Sequence, residues 1–302
     1  MILVNNRGSN NPYINLAIEE YLVRHCDCSK GDYLLLYVND PCIVVGKNQS
    51  IYREVNFDYL RNDRLQLCRR ISGGGTVYHD PGNLSFAFIS QFADNKVNNY
   101  RYFNRPIIEA LNKADFAVEH DARNNIICNG KKISGNAQFT DRKNIISHGT
   151  LLYNADLNTL RACLKPNNFE IDTKAVASVS SSVINLYDVK QVWSDIGSLQ
   201  QYLSKELAAT EVMDFTNAEW EEIEKLAAEK FSQAEWIYGR SPKTIIRKNE
   251  VELVIEEGRV TEVKGVREEV RAVLAGVFYT YTHIKKALSV LPNASVLLNE
   301  LF

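Results

Sequence analysis

Three glycines in a row constrain this chain more than any other feature. Gly73, Gly74 and Gly75 fall inside "RRISGGGTVYHDPGNLSF", which runs from Arg69 to Phe86. A glycine triplet inside a helix or a strand carries a large entropic penalty, so the chain breaks here and the flanking segments must be separate elements. Upstream, "RLQLCRRIS" alternates apolar and polar residues as a strand does; downstream, "NLSFAFIS" (Asn83 to Ser90) is apolar throughout, which predicts a strand buried on both faces. Without Cβ atoms, successive main-chain N–H groups can converge on one anion, and Arg69 and Arg70 stand just upstream. No Gly-Lys-Ser/Thr follows, so this is not a Walker A loop. The glycines are contiguous and the next segment reads as strand, so it is not a dinucleotide fingerprint either. Taken alone, so short a motif more often marks a flexible surface turn.

Elsewhere the pattern alternates between the two regular structures. Asn15 to Arg24 has helical spacing, with Pro12 just ahead of it. Tyr33–Val38 and Cys42–Gly46 are short apolar runs split by "NDP" and read as two strands with a tight connection. "NFDYLRND" reads as a short helix, and Asn104 to Lys113 as a longer one with Ile107, Ile108 and Leu111 on one face. "NNIIC" and "KKISG" flank Asn129-Gly130, the dipeptide that suits a type I′ hairpin turn. From about Ser194 helix dominates, and Thr216 with Glu219 forms a capping box. "GRSP" (Gly239 to Pro242) reads as a linker. After it come two strands, "KTIIRK" and "VELVIEEGRVTEVKG", and the helices "REEVRAVLAGVF" and "HIKKALSVL". The reading is a mixed α+β domain over residues 1–240 and a small α/β appendage over 241–302.

The hairpin carries the second candidate group. Strand alternation from the Asn-Gly turn puts Lys132 and Ser134 on one face and Ile133 on the other. An ammonium held opposite a cleft suits a carboxylate or phosphate that gains charge during reaction, although a solvated lysine beside a turn is the commoner case. His79 and His148 could each line a pocket or cap a loop; the five histidines lack metal-ligand spacing and no G-x-S-x-G elbow occurs. Lys plus Arg is 35 against 37 for Asp plus Glu, a formal charge of −2, which removes the basic footprint of a nucleic-acid polymer binder and favours a small nucleotide. No run approaches the roughly 20 apolar residues of a membrane helix, and the N-terminus lacks the pattern of a signal peptide. Six scattered cysteines without CxxC spacing argue against disulfides and zinc and for a cytoplasmic protein.

Six segments, in chain order, resemble the lipoate–protein ligase A family of the biotin/lipoate ligase superfamily. "NLAIEEYL" resembles its first helix and "PCIVVGKNQS" its Gly-Arg-Asn-Gln strand end, with Lys47 for the usual arginine. The glycine block matches almost intact, "NGKKISGNAQ" and "HGTLLYN" follow, and "VASVSSSVINL" resembles the closing segment. The resemblance implies a class II synthetase-like mixed β-sheet domain with helices and a shortened C-terminal accessory domain. It implies an ATP-dependent ligase that forms lipoyl-AMP and then lipoylates one lysine of an acceptor, with Mg²⁺ in attendance. In that frame Lys132 is the catalytic group. Arg70, Ser72, Gly73, Gly74, Gly75, Thr76, Val77, Tyr78, Asn83, Gly135 and Ala137 hold the nucleotide, and Leu16, Tyr37, Arg70, His79 and His148 line the lipoate slot.

Asn124 and Asn125 stand where the family's metal-holding Asn-Asp pair would be, and Asn125 removes a charge. Ser180 and Ser182 replace arginines. Expected partners are apo lipoyl domains of dehydrogenase complexes or a glycine-cleavage carrier protein, met by a monomer. The alternatives are an ATP-independent octanoyl or lipoyl transferase of the same fold, for which Cys128 is the one nearby nucleophile, or a catalytically weak paralogue that binds lipoyl domains or adenylates.

Overall fold

The computed structural model describes residues 1–61, 65–207, 209 and 211–302. In chain order the strands are β1 (Ile2–Val4), β2 (Tyr33–Val38), β3 (Cys42–Val45), β4 (Gln66–Arg69), β5 (Val77–His79), β6 (Asn83–Gln91), β7 (Val118–His120), β8 (Ile126–Cys128), β9 (Lys131–Ser134), β10 (Asn136–Thr140), β11 (Asn144–Leu152), β12 (Glu170–Thr173), β13 (Glu211–Met213), β14 (Thr244–Lys248), β15 (Val251–Glu256) and β16 (Arg259–Lys264). The largest sheet has the order β10-β11-β6-β2-β1-β13; β1 runs parallel to β2 and β13, and the other pairs are antiparallel.

The central strands β2 and β6 are largely apolar because both faces are covered. Leu35, Tyr37, Ala87 and Ile89 join Leu16, Ile18 and Leu22 of helix Pro12–His25 in one core. Leu34, Leu36, Leu84, Phe86 and Phe88 join Phe103, Ile107 and Leu111 of helix Tyr100–Lys113, and Leu199 and Leu203 of helix Ile196–Glu206, in another. Burying each such side chain contributes roughly 1.5–3 kcal/mol, so a polar residue at any of these strand positions would be costly. Both long helices start earlier than their periodicity indicates, because asparagines cap them: Asn11 accepts from the Tyr13 amide and Asn99 from the Tyr102 amide.

Three smaller sheets surround this frame: β4-β3-β5, β7-β8-β9 and β12-β14-β15-β16. The two runs split by "NDP" do not pair with each other; β2 belongs to the large sheet and β3 to the sheet with β4 and β5. The "VELVIEEGRVTEVKG" run is two strands, because Glu257 (φ 49°) and Gly258 (φ 75°) take the left-handed conformations that a tight hairpin turn needs. "NFDYLRND" gives a helix over Phe57–Leu60, and its Asn62 and Asp63 lie outside the described residues. The capping box of Thr216 and Glu219 starts helix Asn217–Leu226, which runs on into a π turn over Ala227–Phe231.

The chain after residue 241 is tied to what precedes it. β12 pairs with β14, Tyr52 and Phe57 share a core with Ile246, Val260 and Tyr279, and the Ser50 and Thr244 hydroxyls lie 2.9 Å apart. Among the described residues no helix is long and apolar enough to cross a membrane.

Candidate functional site

The two arginines beside the glycine loop part company at the end of β4. Arg69, fully buried, turns away from the loop. Its Nη1 donates to the carbonyls of Gly46 (2.8 Å) and Gln49 (2.8 Å), its Nε to Ile237 (2.7 Å) and its Nη2 to Ser241 Oγ (3.0 Å). No carboxylate pairs with it among the described residues, and burial pushes its guanidinium down to about 10. Arg69 is therefore a structural cation and not a ligand for an anion. Arg70 turns inward instead. Its Nη2 donates to the carbonyls of Gly73 (2.6 Å) and Gly75 (2.7 Å), its Nη1 to Val44 (3.1 Å) and its Nε to Ser72 Oγ (3.0 Å). With the carbonyls of the loop tied to Arg70, the amides of Gly73, Gly74 and Gly75 make no hydrogen bond among the described residues and remain as donors.

Asn129 (φ 50°) and Gly130 (φ 71°) form the expected type I′ turn between β8 and β9. Ile133 sits in the core and Lys132 lines a cleft on the opposite side. A register shift between Ile126 and Ile127 breaks the strict alternation, so Ser134 is buried away from that cleft. The Lys132 main chain is clasped by residues 182–184: its amide donates to Ser182 O (2.9 Å), and its carbonyl accepts from the Ile184 amide (3.1 Å). Its ammonium has no hydrogen bond or ion pair among the described residues. Burial lowers its pKa and Arg70 lowers it further, while Asp121 pulls it up.

Residues 176–181 pass over the glycine loop and close one side of the cleft. Ser178 pins them: its hydroxyl accepts from the Thr76 amide (2.8 Å) and from Gln49 Nε2 (3.1 Å) and donates to Glu54 Oε2. Gln49 Oε1 in turn accepts from Thr76 Oγ1 (2.9 Å) and the Gly46 amide (3.0 Å). A Cβ on Gly75 would lie 3.0 Å from Ser178 Oγ, so a side chain at residue 75 would press against the strap. Gln49, Glu54 and Ser178 were not singled out from sequence.

The cleft measures about 560 Å³ and is lined by Leu16, Tyr37, Arg70, Gly74, Gly75, Thr76, Val77, His79, Lys132, Gly135, Ala137 and His148, together with Arg123, Asn125 and the strap. Strand β5 turns Val77 and His79 toward it and therefore Tyr78 away, into a cluster with Ile43 and Val45. Ser72 and Gly73 lie behind the lining, Asn83 closes the turn from Asp80 with its amide (2.9 Å), and Asn124 takes positive φ with its carbonyl bound to Asn136 Nδ2 (3.2 Å). His79 is the neutral donor of the apolar end. A relay of amides runs from Asn15 Nδ2 to Asn39 Oδ1 (2.8 Å) and from Asn39 Nδ2 to His79 Nδ1 (2.9 Å). The His79 proton must then sit on Nε2, which is buried with no protein partner. Burial, with Arg70 and His148 nearby, pushes the His79 pKa down to about 3.

The charged groups of the lining are Arg70, Arg123 and Lys132, with no Asp or Glu. Asn125 donates its Nδ2 to Asp121 Oδ2 (2.7 Å), and Asp121 Oδ1 accepts from the Arg123 and Asn125 amides (2.8 and 2.9 Å). Among the described residues the lining offers only neutral amide and hydroxyl oxygens, with Asn125 and Asn136 as the amides and no carboxylate, a set that does not fit a protein-held Mg²⁺. All six cysteines are buried and none lines the cleft; Cys128 lies in the core, where burial raises its thiol pKa.

Comparison with known proteins places this geometry among relatives. The lipoyl protein ligase A/B catalytic domain matches residues 11–208. The lipoate-protein ligase LplJ of Bacillus subtilis is 34% identical over 278 residues, spanning 87% of this chain and 84% of that protein. Lipoate–protein ligase 1 of Staphylococcus aureus is 34% identical over 308 residues, spanning 96% and 94%. A crystal structure of lipoate-protein ligase A bound with ATP superposes with a TM-score of 0.66 at 25% identity, covering 80% of this chain and 98% of that one.

Proposed function

The chain belongs to the lipoyl protein ligase A/B catalytic-domain family, and from that membership we propose that its cleft is the active site of an ATP-dependent lipoate–protein ligase. The observation that carries the reading is an ammonium, Lys132, with no hydrogen bond or ion pair among the described residues, sharing one cleft with the undonated amides of the glycine loop and with no Asp or Glu in its described lining. In the first half-reaction a lipoate carboxylate oxygen attacks the α-phosphorus of ATP. The bond to the β-bridging oxygen breaks, pyrophosphate leaves with the electron pair, and a mixed anhydride remains. Two anions must meet, so the site has to supply positive charge and N–H donors; Lys132 and the loop are placed to do so.

In the second half-reaction the ε-amine of an acceptor lysine attacks the anhydride carbonyl. The carbonyl C–O bond breaks, AMP leaves, and the amine proton passes to solvent as the amide forms. Lys132 would steady the oxyanion in both halves. Leu16, Tyr37, Val44 and His79 offer an apolar slot for the dithiolane tail. The domains at 1–240 and 241–302, the nucleotide-binding role of the loop residues and the acceptor, an apo lipoyl domain, belong to the same proposal. A divalent cation would enter as its complex with the phosphates of the nucleotide.

The reading is tested by mixing the protein with lipoate, ATP, Mg²⁺ and an apo lipoyl domain and weighing the acceptor. The expected result is a gain of one lipoyl group that needs ATP and disappears in Lys132→Met. A gain without ATP, or full activity in Lys132→Met, overturns it.

A further inference from the structure

Behind the cleft wall a buried carboxylate does work that the reaction scheme has not used. Glu19 is almost fully buried in helix Pro12–His25 and does not line the cleft. Its Oε1 accepts from the Tyr37 hydroxyl (2.9 Å) and its Oε2 faces His148 Nδ1 (2.7 Å). His148 Nε2 faces Ser72 Oγ (2.6 Å), and Ser72 Oγ faces Arg70 Nε (3.0 Å). Only one assignment of protons satisfies the whole row. A carboxylate can only accept, so Nδ1 carries the imidazole proton. Nε2 is then a bare acceptor and takes the Ser72 hydroxyl proton. The Ser72 oxygen keeps a lone pair for Arg70, a cation that can only donate.

We infer that Glu19 is a positioning residue: it fixes the His148 tautomer, through which Ser72 is oriented to hold Arg70 and thereby the carbonyls of Gly73 and Gly75. This rests on the proposed role of the glycine loop, because it is the loop amides, turned toward the nucleotide, that the row sets. Leucine at position 19 cannot reproduce it. It accepts nothing, so the Tyr37 hydroxyl and the His148 Nδ1 proton both lose their partner, and nothing holds the tautomer that gives the buried Ser72 hydroxyl its acceptor.

The test begins on the unaltered protein, labelled with ¹⁵N-histidine, the His148 signals being identified by their loss in His148→Asn. The expected spectrum shows a protonated Nδ1 and a bare Nε2; a protonated Nε2, as the other tautomer or as imidazolium, overturns the inference. The second measurement is the KM for ATP in adenylate formation. Glu19→Leu and Ser72→Ala should each raise it about tenfold, the loss of roughly 1.4 kcal/mol, and the double variant should be no worse than either, since all act along one row. Additive losses in the double variant, or an unchanged KM in both single variants, overturn it. The spectrum needs no turnover, so failure of the tautomer assignment is distinguishable from failure of the ligase reading, which would show as no ATP-dependent adenylate from the unaltered protein.

Discussion

Acidification should destabilise this protein through His79 in a way that one substitution removes. The imidazole has a folded-state pKa of about 3 against the ordinary 6.5, because it is buried between Arg70 and His148 and its Nδ1 is already occupied by Asn39. The unfolded chain therefore binds a proton between those two values that the folded chain refuses. Stability contributed by this group is complete above 6.5 and falls as pH drops toward 3. At about pH 4.5, some two units below the ordinary value, the loss is about 3 kcal/mol, a large share of a typical 5–15 kcal/mol of folding free energy. The assay is urea unfolding at about pH 7 and about pH 4.5, for the unaltered protein and for His79→Gln, whose amide oxygen can still accept from Asn39. Carboxylates titrate alike in both proteins and cancel. The unaltered protein should lose about 3 kcal/mol more than the variant across that interval. A difference under about 1 kcal/mol would show that the buried imidazole accepts its proton without resistance, and the assigned environment would be wrong.

Four further outcomes follow from the same geometry. Ser178→Ala strands the Thr76 amide and Glu54, and should cost about 2 kcal/mol in urea unfolding while speeding proteolysis within residues 174–182; an unchanged cleavage rate would mean the strap is held elsewhere. The alkaline fall of kcat/KM should come at lower pH than an ordinary lysine allows, since deprotonation removes the ammonium and burial makes that easier. In any active Lys132→Arg variant that fall should disappear, and a limb common to both proteins would assign it to another group. Arg69→Lys should cost about 3 kcal/mol by calorimetry, because one ammonium cannot reach the carbonyls of Gly46, Gln49 and Ile237 and the Ser241 hydroxyl together. Asn129→Ala forces alanine into φ 50° and should cost about 1 kcal/mol, read from the urea midpoint, with the KM for lipoate unchanged if the hairpin still closes.

What could be read from the sequence was local. The Asn129-Gly130 turn, the Thr216–Glu219 cap and the two-sided burial of β6 each depend on neighbours a few residues apart, and each stands in the structure as expected. The membership of the glycine block was legible too, but the role of each residue in it was not. Arg69 and Arg70 differ by one position and end on opposite sides of the strand end; Tyr78 turns from the cleft that Val77 and His79 face. Gln49, Glu54 and Ser178 meet across more than a hundred residues of chain, and no periodicity announces such a meeting. Glu19 left a faint trace, being one of two adjacent carboxylates in the apolar middle of its helix, and only its packing shows which neighbour it serves.

The way Arg69 is satisfied bears on how the molecule can be divided. Two of its five acceptors, at Ile237 and Ser241, come from beyond the stretch that aligns with the catalytic family, while the carbonyls of Gly46, Lys47 and Gln49 form the floor under the strap. A fragment trimmed to residues 11–208 would keep the positive charge and lose part of what solvates it. Water would have to enter beneath the glycine bend, so the tail of the chain acts as a plug for a cleft it does not line.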